Sequence, residues 1–157
     1  MLPPRIVLYG PSKIGTSTFC STIPDAYFLD VGRTIGHLSP KGERHDTLDG
    51  CNDLISRIGE TDCKVLVIDN LYGLERIIMN AVFADEQEKK SPGIVYFDDI
   101  PYGRGPGMVI EKLSEFLSDL DDLVVKGIGI VIVANEFIEQ RHDSSSSALL
   151  VFYKSEI

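Results

Sequence analysis

Four short runs of apolar residues punctuate the chain: Ile6-Val7-Leu8, Tyr27-Phe28-Leu29, Val65-Leu66-Val67-Ile68 and Ile130-Val131-Ile132-Val133. Each is too short for an apolar helix, and they predict strands over 5–9, 26–31, 64–69 and within 127–134. The runs are continuous rather than alternating in polarity, which implies strands buried on both faces, as in a parallel sheet. Between them the apolar positions return at helical spacing. Leu54, Ile55 and Ile58 predict a helix over 48–60 with Asp49 as its N-cap. Leu71, Leu74, Ile77, Ile78, Ala81 and Val82 predict one over 71–85. Ile110, Leu113, Leu117, Leu120 and Val124 form the expected buried stripe of a third, over 107–126. Gly10-Pro11-Ser12 breaks the first strand, and 14–22 reads as a loop running into a short helix. Residues 32–47 read as irregular, and 89–106 as a long loop rich in Gly, Pro and Tyr, a type that is often functional. A polar stretch with serines at 144–147 precedes a last short strand over 148–153. Strands alternating with helices predict an α/β domain in three layers around a mostly parallel sheet.

Composition narrows this little. At 157 residues the chain reads as a single domain, 1–157, large enough for one hydrophobic core. Fifteen basic against 24 acidic residues give a net charge of −9, which opposes nucleic-acid binding through long-range charge. The acidic groups at Asp85, Glu86 and Glu88 and at Asp119, Asp121 and Asp122 read as solvated faces. Three cysteines, Cys20, Cys51 and Cys63, lack zinc-site spacing and suit a reduced, cytoplasmic chain. No signal peptide is expected at the amino terminus, and no stretch approaches the roughly 20 apolar residues of a membrane span.

The chemistry concentrates after the first strand. A phosphate loop needs Gly, four residues, Gly, Lys, then Ser or Thr. Gly10-Pro11-Ser12-Lys13-Ile14-Gly15-Thr16-Ser17 meets every position except the lysine, and it lies between a predicted strand and a predicted helix. Such a loop curls its backbone N–H groups toward an anion, and the Ser17 hydroxyl would hold Mg2+ beside the phosphates. Gly10, Pro11, Ser12, Lys13, Ile14, Gly15, Thr16, Ser17 and Thr18 are therefore the candidate ATP-binding residues. Thr16 carries no charge. Lys13 reads either as a phosphate contact or as a loop lysine. Asp69, at the end of the third predicted strand, is where a magnesium-organising carboxylate would stand, giving Ser17 and Asp69 as the candidate metal pair.

Taken together, Ile6-Val7-Leu8-Tyr9-Gly10-Pro11-Ser12-Lys13, Tyr27-Phe28-Leu29-Asp30, Leu66-Val67-Ile68-Asp69-Asn70-Leu71, Tyr102-Gly103-Arg104-Gly105 and Ile130-Val131-Ile132-Val133-Ala134 carry a resemblance. The chain resembles the RecA-like, AAA-type P-loop nucleotide-binding ATPases of phages and prophages, related to phage recombination proteins. The likeness runs over 5–135. It implies a RecA-like P-loop NTPase fold, ATP and Mg2+ as cofactors, and DNA or a DNA-processing protein as partner, with an oligomer possible.

Three departures bear on activity. Thr16 stands where the family has Lys. Leu29-Asp30-Val31-Gly32-Arg33-Thr34 lacks the glutamate of the family's Leu-Asp-Thr-Glu-Gly-Gly-like run. Ala134-Asn135 replaces Ala-His. Relatives also extend beyond 157, so the domain reads as short at its carboxyl end. Losing one preorganised donor costs about 3–4 kcal/mol of transition-state stabilisation. The expectation is a nucleotide-binding protein with weak or absent hydrolysis; the competing reading is a non-catalytic protein-binding or regulatory module. Arg104 reads as a phosphate or subunit contact or a solvated arginine, Tyr102 as a base-stacking or loop-anchoring ring, and Asn135 as water-orienting or capping. His37, His45 and His142 read as surface positions.

Overall fold

The computed structural model describes every residue except 34, 37, 39, 90–93, 136–137, 142–149 and 154–157, and describes 138–141 and 150–153 as backbone alone. The elements run β1 (Arg5–Gly10), α1 (Thr16–Cys20), β2 (Ala26–Asp30), β3 (Gly42–Arg44), α2 (Leu48–Ile58), β4 (Val65–Asp69), α3 (Leu71–Glu88), α4 (Gly105–Val125), β5 (Gly129–Asn135), β6 (Ile138–Arg141) and β7 (Leu150–Tyr153). Five strands form one sheet in the order β1-β5-β4-β2-β3, and every pairing in it is parallel. β6 and β7 pair antiparallel in a separate two-stranded ribbon.

The continuous apolar runs have the cause expected of them. Successive residues of a strand point to opposite faces. Leu66, Ile68, Ile130 and Ile132 therefore pack with Leu54 of α2, Ile78 of α3 and Phe116 and Leu120 of α4. Phe28, Val67, Val131 and Val133 face the other way, against Cys20 of α1 and Ile35. Helices on both faces of a parallel sheet make the three layers of an α/β P-loop fold.

The structure corrects several local expectations. β1 is an edge strand and not a buried one: Ile6, Val7 and Tyr9 are 46%, 57% and 59% exposed, because only β5 flanks it. β3 lies inside the stretch read as irregular. Its Gly-Glu-Arg sequence has no apolar residue, and it is held by pairing with β2 and by polar contacts. Gly42 is required there, since a Cβ would come within 2.3 Å of the Phe28 carbonyl oxygen. The cap of α2 is Thr47, whose hydroxyl accepts the Gly50 N–H at 3.2 Å, and Asp49 lies in the first turn instead.

α4 is rotated relative to the predicted stripe. Val109, Phe116, Leu120 and Leu123 are buried, whereas Ile110 is 59% exposed and Leu113, Leu117 and Val124 are only partly covered. Glu86 is buried rather than solvated, meeting Lys89 Nζ at 2.7 Å and Arg104 Nη2 at 3.7 Å. It thereby ties the end of α3 to the start of α4. Two short 3-10 turns, Phe97–Asp99 and Pro101–Gly103, occupy the described part of the long loop. β6 falls in the polar stretch that follows β5, where no strand was expected. The last strand was expected over 148–153, and β7 accounts for its described part.

Candidate phosphate-binding site

A cavity of about 460 Å³ opens at the carboxyl ends of β1, β4 and β5. Ser12, Lys13, Gly15, Thr16, Ser17, Thr18, Asp69, Asn70 and Asn135 line it. This is the place an open parallel sheet reserves for ligands. The connection leaving β1 passes to the face covered by α1, and the one leaving β4 to the face covered by α3 and α4, so a crevice opens between them.

The loop after β1 curls at two points. Lys13 has φ 69° and Gly15 φ 100°, both left-handed. Between them Ile14 N–H donates to the Pro11 carbonyl at 3.3 Å, closing a turn. Phe19 N–H to Gly15 C=O at 2.8 Å and Ser21 N–H to Ser17 C=O at 3.0 Å then hold α1. Six of the nine residues read from sequence as nucleotide-binding line the cavity: Ser12, Lys13, Gly15, Thr16, Ser17 and Thr18. Gly10, Pro11 and Ile14 belong to the loop but not to the lining; the Ile14 side chain is exposed.

Asp69 ends β4, buried, and its backbone carbonyl accepts the N–H groups of Val31 at 2.8 Å and Gly32 at 3.0 Å. Cys20 of α1 feels its charge: burial first, and the Asp69 carboxylate second, push the thiol up to about 11. Ser17 and Asp69 share the cavity, and both offer hard oxygen donors. Among the described residues no cluster of three His, Cys, Asp or Glu side chains converges on a metal position. A magnesium ion suits such a pair, because it is commonly bound through one or two protein oxygens plus waters and phosphate oxygens.

Two asparagines complete the lining. Asn70 lines the cavity while its Oδ1 accepts the Gly73 N–H at 2.9 Å, capping α3. Its place just before a helical run was the signal available. Asn135 ends β5 opposite Gly10 and lines the cavity. Position 32, which the resemblance assigns to a glutamate, is a glycine pressed against Asn70: a Cβ there would sit 2.7 Å from Asn70 Nδ2.

Other candidates lie elsewhere. Arg104 donates from Nε to the Pro101 carbonyl at 3.2 Å and lies beside Glu86, outside the cavity lining. Tyr102 is 97% exposed, so it neither lines the cavity nor anchors the loop by burial. His45 is partly buried, 3.2 Å from Glu43, rather than a surface residue; His37 and His142 lie outside the described residues.

A strand-loop-helix lining a crevice beside a strand-end aspartate is the arrangement of a nucleotide-binding ATPase domain, and the sequence comparison agrees. Residues 2–157 match the family described as AAA domain. The chain belongs to that family. This AAA domain is nucleotide-binding and ATPase-like in architecture, and the loop after β1 and Asp69 line one cavity in it. No curated protein sequence matches it. Among the described residues no helix is long and apolar enough to cross a membrane.

Proposed function

We propose that this AAA domain binds ATP with Mg2+ in the cavity between the phosphate loop and Asp69, and hydrolyses it weakly or not at all. The supporting observation is the cavity lining itself: Ser12, Lys13, Gly15 to Thr18 and Asp69 meet there, with Thr16 in the position of the usual lysine. Backbone N–H groups of the curled loop bind and orient the phosphates. Ser17 and Asp69 would hold the metal, which supplies charge neutralisation at the phosphate oxygens. Thr16 contributes a hydroxyl without charge. Gly32 offers no carboxylate to align an attacking water, and Asn70 occupies the space one would need. Binding therefore survives better than turnover.

The setting proposed is phage-type DNA recombination or replication, with DNA or a DNA-processing protein as partner. That rests on the segment resemblance over 5–135. With a net charge of −9, a protein partner fits the chain better than direct contact with DNA. The second reading, a pseudo-ATPase acting only as a protein-binding or regulatory module, is favoured by the coincidence of Thr16, Gly32 and Asn135 in one chain.

Calorimetry with ATP and Mg2+, beside steady-state phosphate release, tests this on the parent and on Thr16→Lys. The lysine restores an ammonium to the anion site and should tighten ATP binding about tenfold or more. Turnover should stay negligible in both. Phosphate release by the parent at about 1–10 s⁻¹, an ordinary enzymatic rate, would refute weak hydrolysis. Release appearing only in Thr16→Lys would mean that this position alone silences the enzyme.

A further inference from the structure

Among the described residues Lys13 is the single cationic side chain lining the cavity. It stands on the bend of the loop, two residues after Pro11 in the turn closed by the Ile14 N–H. Its φ of 69° is one that turn chemistry normally gives to Gly or Asn. A long β-unbranched cation in that conformation has no local backbone advantage. The other cations around the fold are largely engaged: Arg5 with Asp121, Arg33 with Asp46, Arg44 with Asp30, Lys112 with Asp85. Lys13 forms no ion pair or hydrogen bond among the described residues. The buried Asp69 carboxylate lines the same cavity and repels a bare polyphosphate.

From this we infer that Lys13 replaces position 16 as the phosphate-binding cation: the charge has moved from the start of α1 to the bend of the loop. The inference rests on the nucleotide-binding reading above and adds to it the residue that carries the electrostatic recognition. Its four-carbon stem and mobile ammonium suit a point-charge contact with a phosphate group approached from the loop side. The ligand class that follows is a di- or triphosphate chain rather than a single phosphate, because one cavity offers both the Lys13 ammonium and the Ser17 and Asp69 oxygens for a metal, and a polyphosphate can engage both at once.

The test is calorimetric titration of the full chain with inorganic pyrophosphate and with ATP plus Mg2+, at two salt concentrations. Lys13→Asn removes the charge while keeping a residue that accepts positive φ, so folding is preserved and a thermal melt confirms it. Binding by Lys13→Asn should fall about 10- to 100-fold, as for loss of a hydrogen bond to a charged group, and should lose much of its salt dependence. Lys13→Arg should stay close to the parent. Lys13→Asn combined with Thr16→Lys should regain affinity, since a cation returns from the other side. If the parent binds and Lys13→Asn binds equally well, the inference is overturned and the nucleotide site stands. Equal weakening by Asn and Arg would also overturn it, marking Lys13 as a shape requirement. A parent that binds neither probe removes the site reading and the inference with it.

Discussion

Gly32 shows how one residue can close off a chemistry. It follows β2, and its N–H donates to the Asp69 carbonyl at 3.0 Å, so the backbone there is fixed against the end of β4. Asn70 stands in front of it, itself fixed by capping α3 through Gly73. A side chain at 32 must displace that amide. Gly32→Glu is therefore expected to destabilise the fold by about 1–3 kcal/mol, the range for overpacking a filled site. Urea unfolding should show a lower midpoint at unchanged slope. It should not confer hydrolysis. A variant as stable as the parent would mean that Asn70 moves aside easily, and position 32 would again be open to a catalytic carboxylate.

At the scale of elements, α2 separates two roles that sequence alone confuses. Thr47 and Asp49 both precede the apolar face of the helix, and both are residue types that cap. The structure gives the cap to Thr47: its φ of −127° and ψ of 151° are extended, and its hydroxyl accepts the Gly50 N–H. Asp49 acts instead through its charge near the helix start. Thr47→Ala should cost about 1 kcal/mol. Asp49→Ala should cost about 0.3–1 kcal/mol, and that cost should shrink at high salt. Paired thermal melts at low and high salt distinguish them; a salt-sensitive Thr47→Ala or a salt-insensitive Asp49→Ala would contradict the assignment.

Across the whole molecule, one carboxylate joins three elements. Glu43 of β3 accepts hydrogen bonds from Arg57 of α2, from the Tyr27 hydroxyl of β2 at 2.7 Å and from His45 at 3.2 Å. Arg57 first, then Tyr27, lower its pKa from 4.5 to about 2. The folded state thus holds this carboxyl deprotonated where the unfolded chain has already taken up a proton. Its contribution to stability is present above pH 4.5 and is lost as the pH falls toward about 2. Melting temperature should drop through that window, and Glu43→Gln should be less stable near pH 7 but lose less on acidification. An acid limb unchanged by Glu43→Gln would show that the cluster contributes nothing to folding.

How much of this was legible in the sequence depends on what each feature is made of. The apolar runs of β2, β4 and β5 and the periodic faces of α2 and α3 report their burial directly, so the α/β class and the element order could be read from them. The curled loop between β1 and α1 was legible too, because its glycines fall at the spacing such a turn needs. β3 was not: Gly42, Glu43 and Arg44 carry no apolar signal, and only the presence of β2 beside them makes a strand. The exposure of β1 was equally hidden, since an edge strand with Ile6, Val7 and Tyr9 has the same local sequence pattern as a central one. Asn70 entered the site through the crossing of chain segments far apart in sequence. Local sequence therefore determined the apolar strands, the long amphipathic helices and the curled loop after β1, because those follow from near-neighbour spacing and burial. Tertiary structure alone decided which strand lies at the edge, which side chains share the cavity with Lys13, and that Asn70 fills the space in front of Gly32, because each depends on packing between distant parts of the chain.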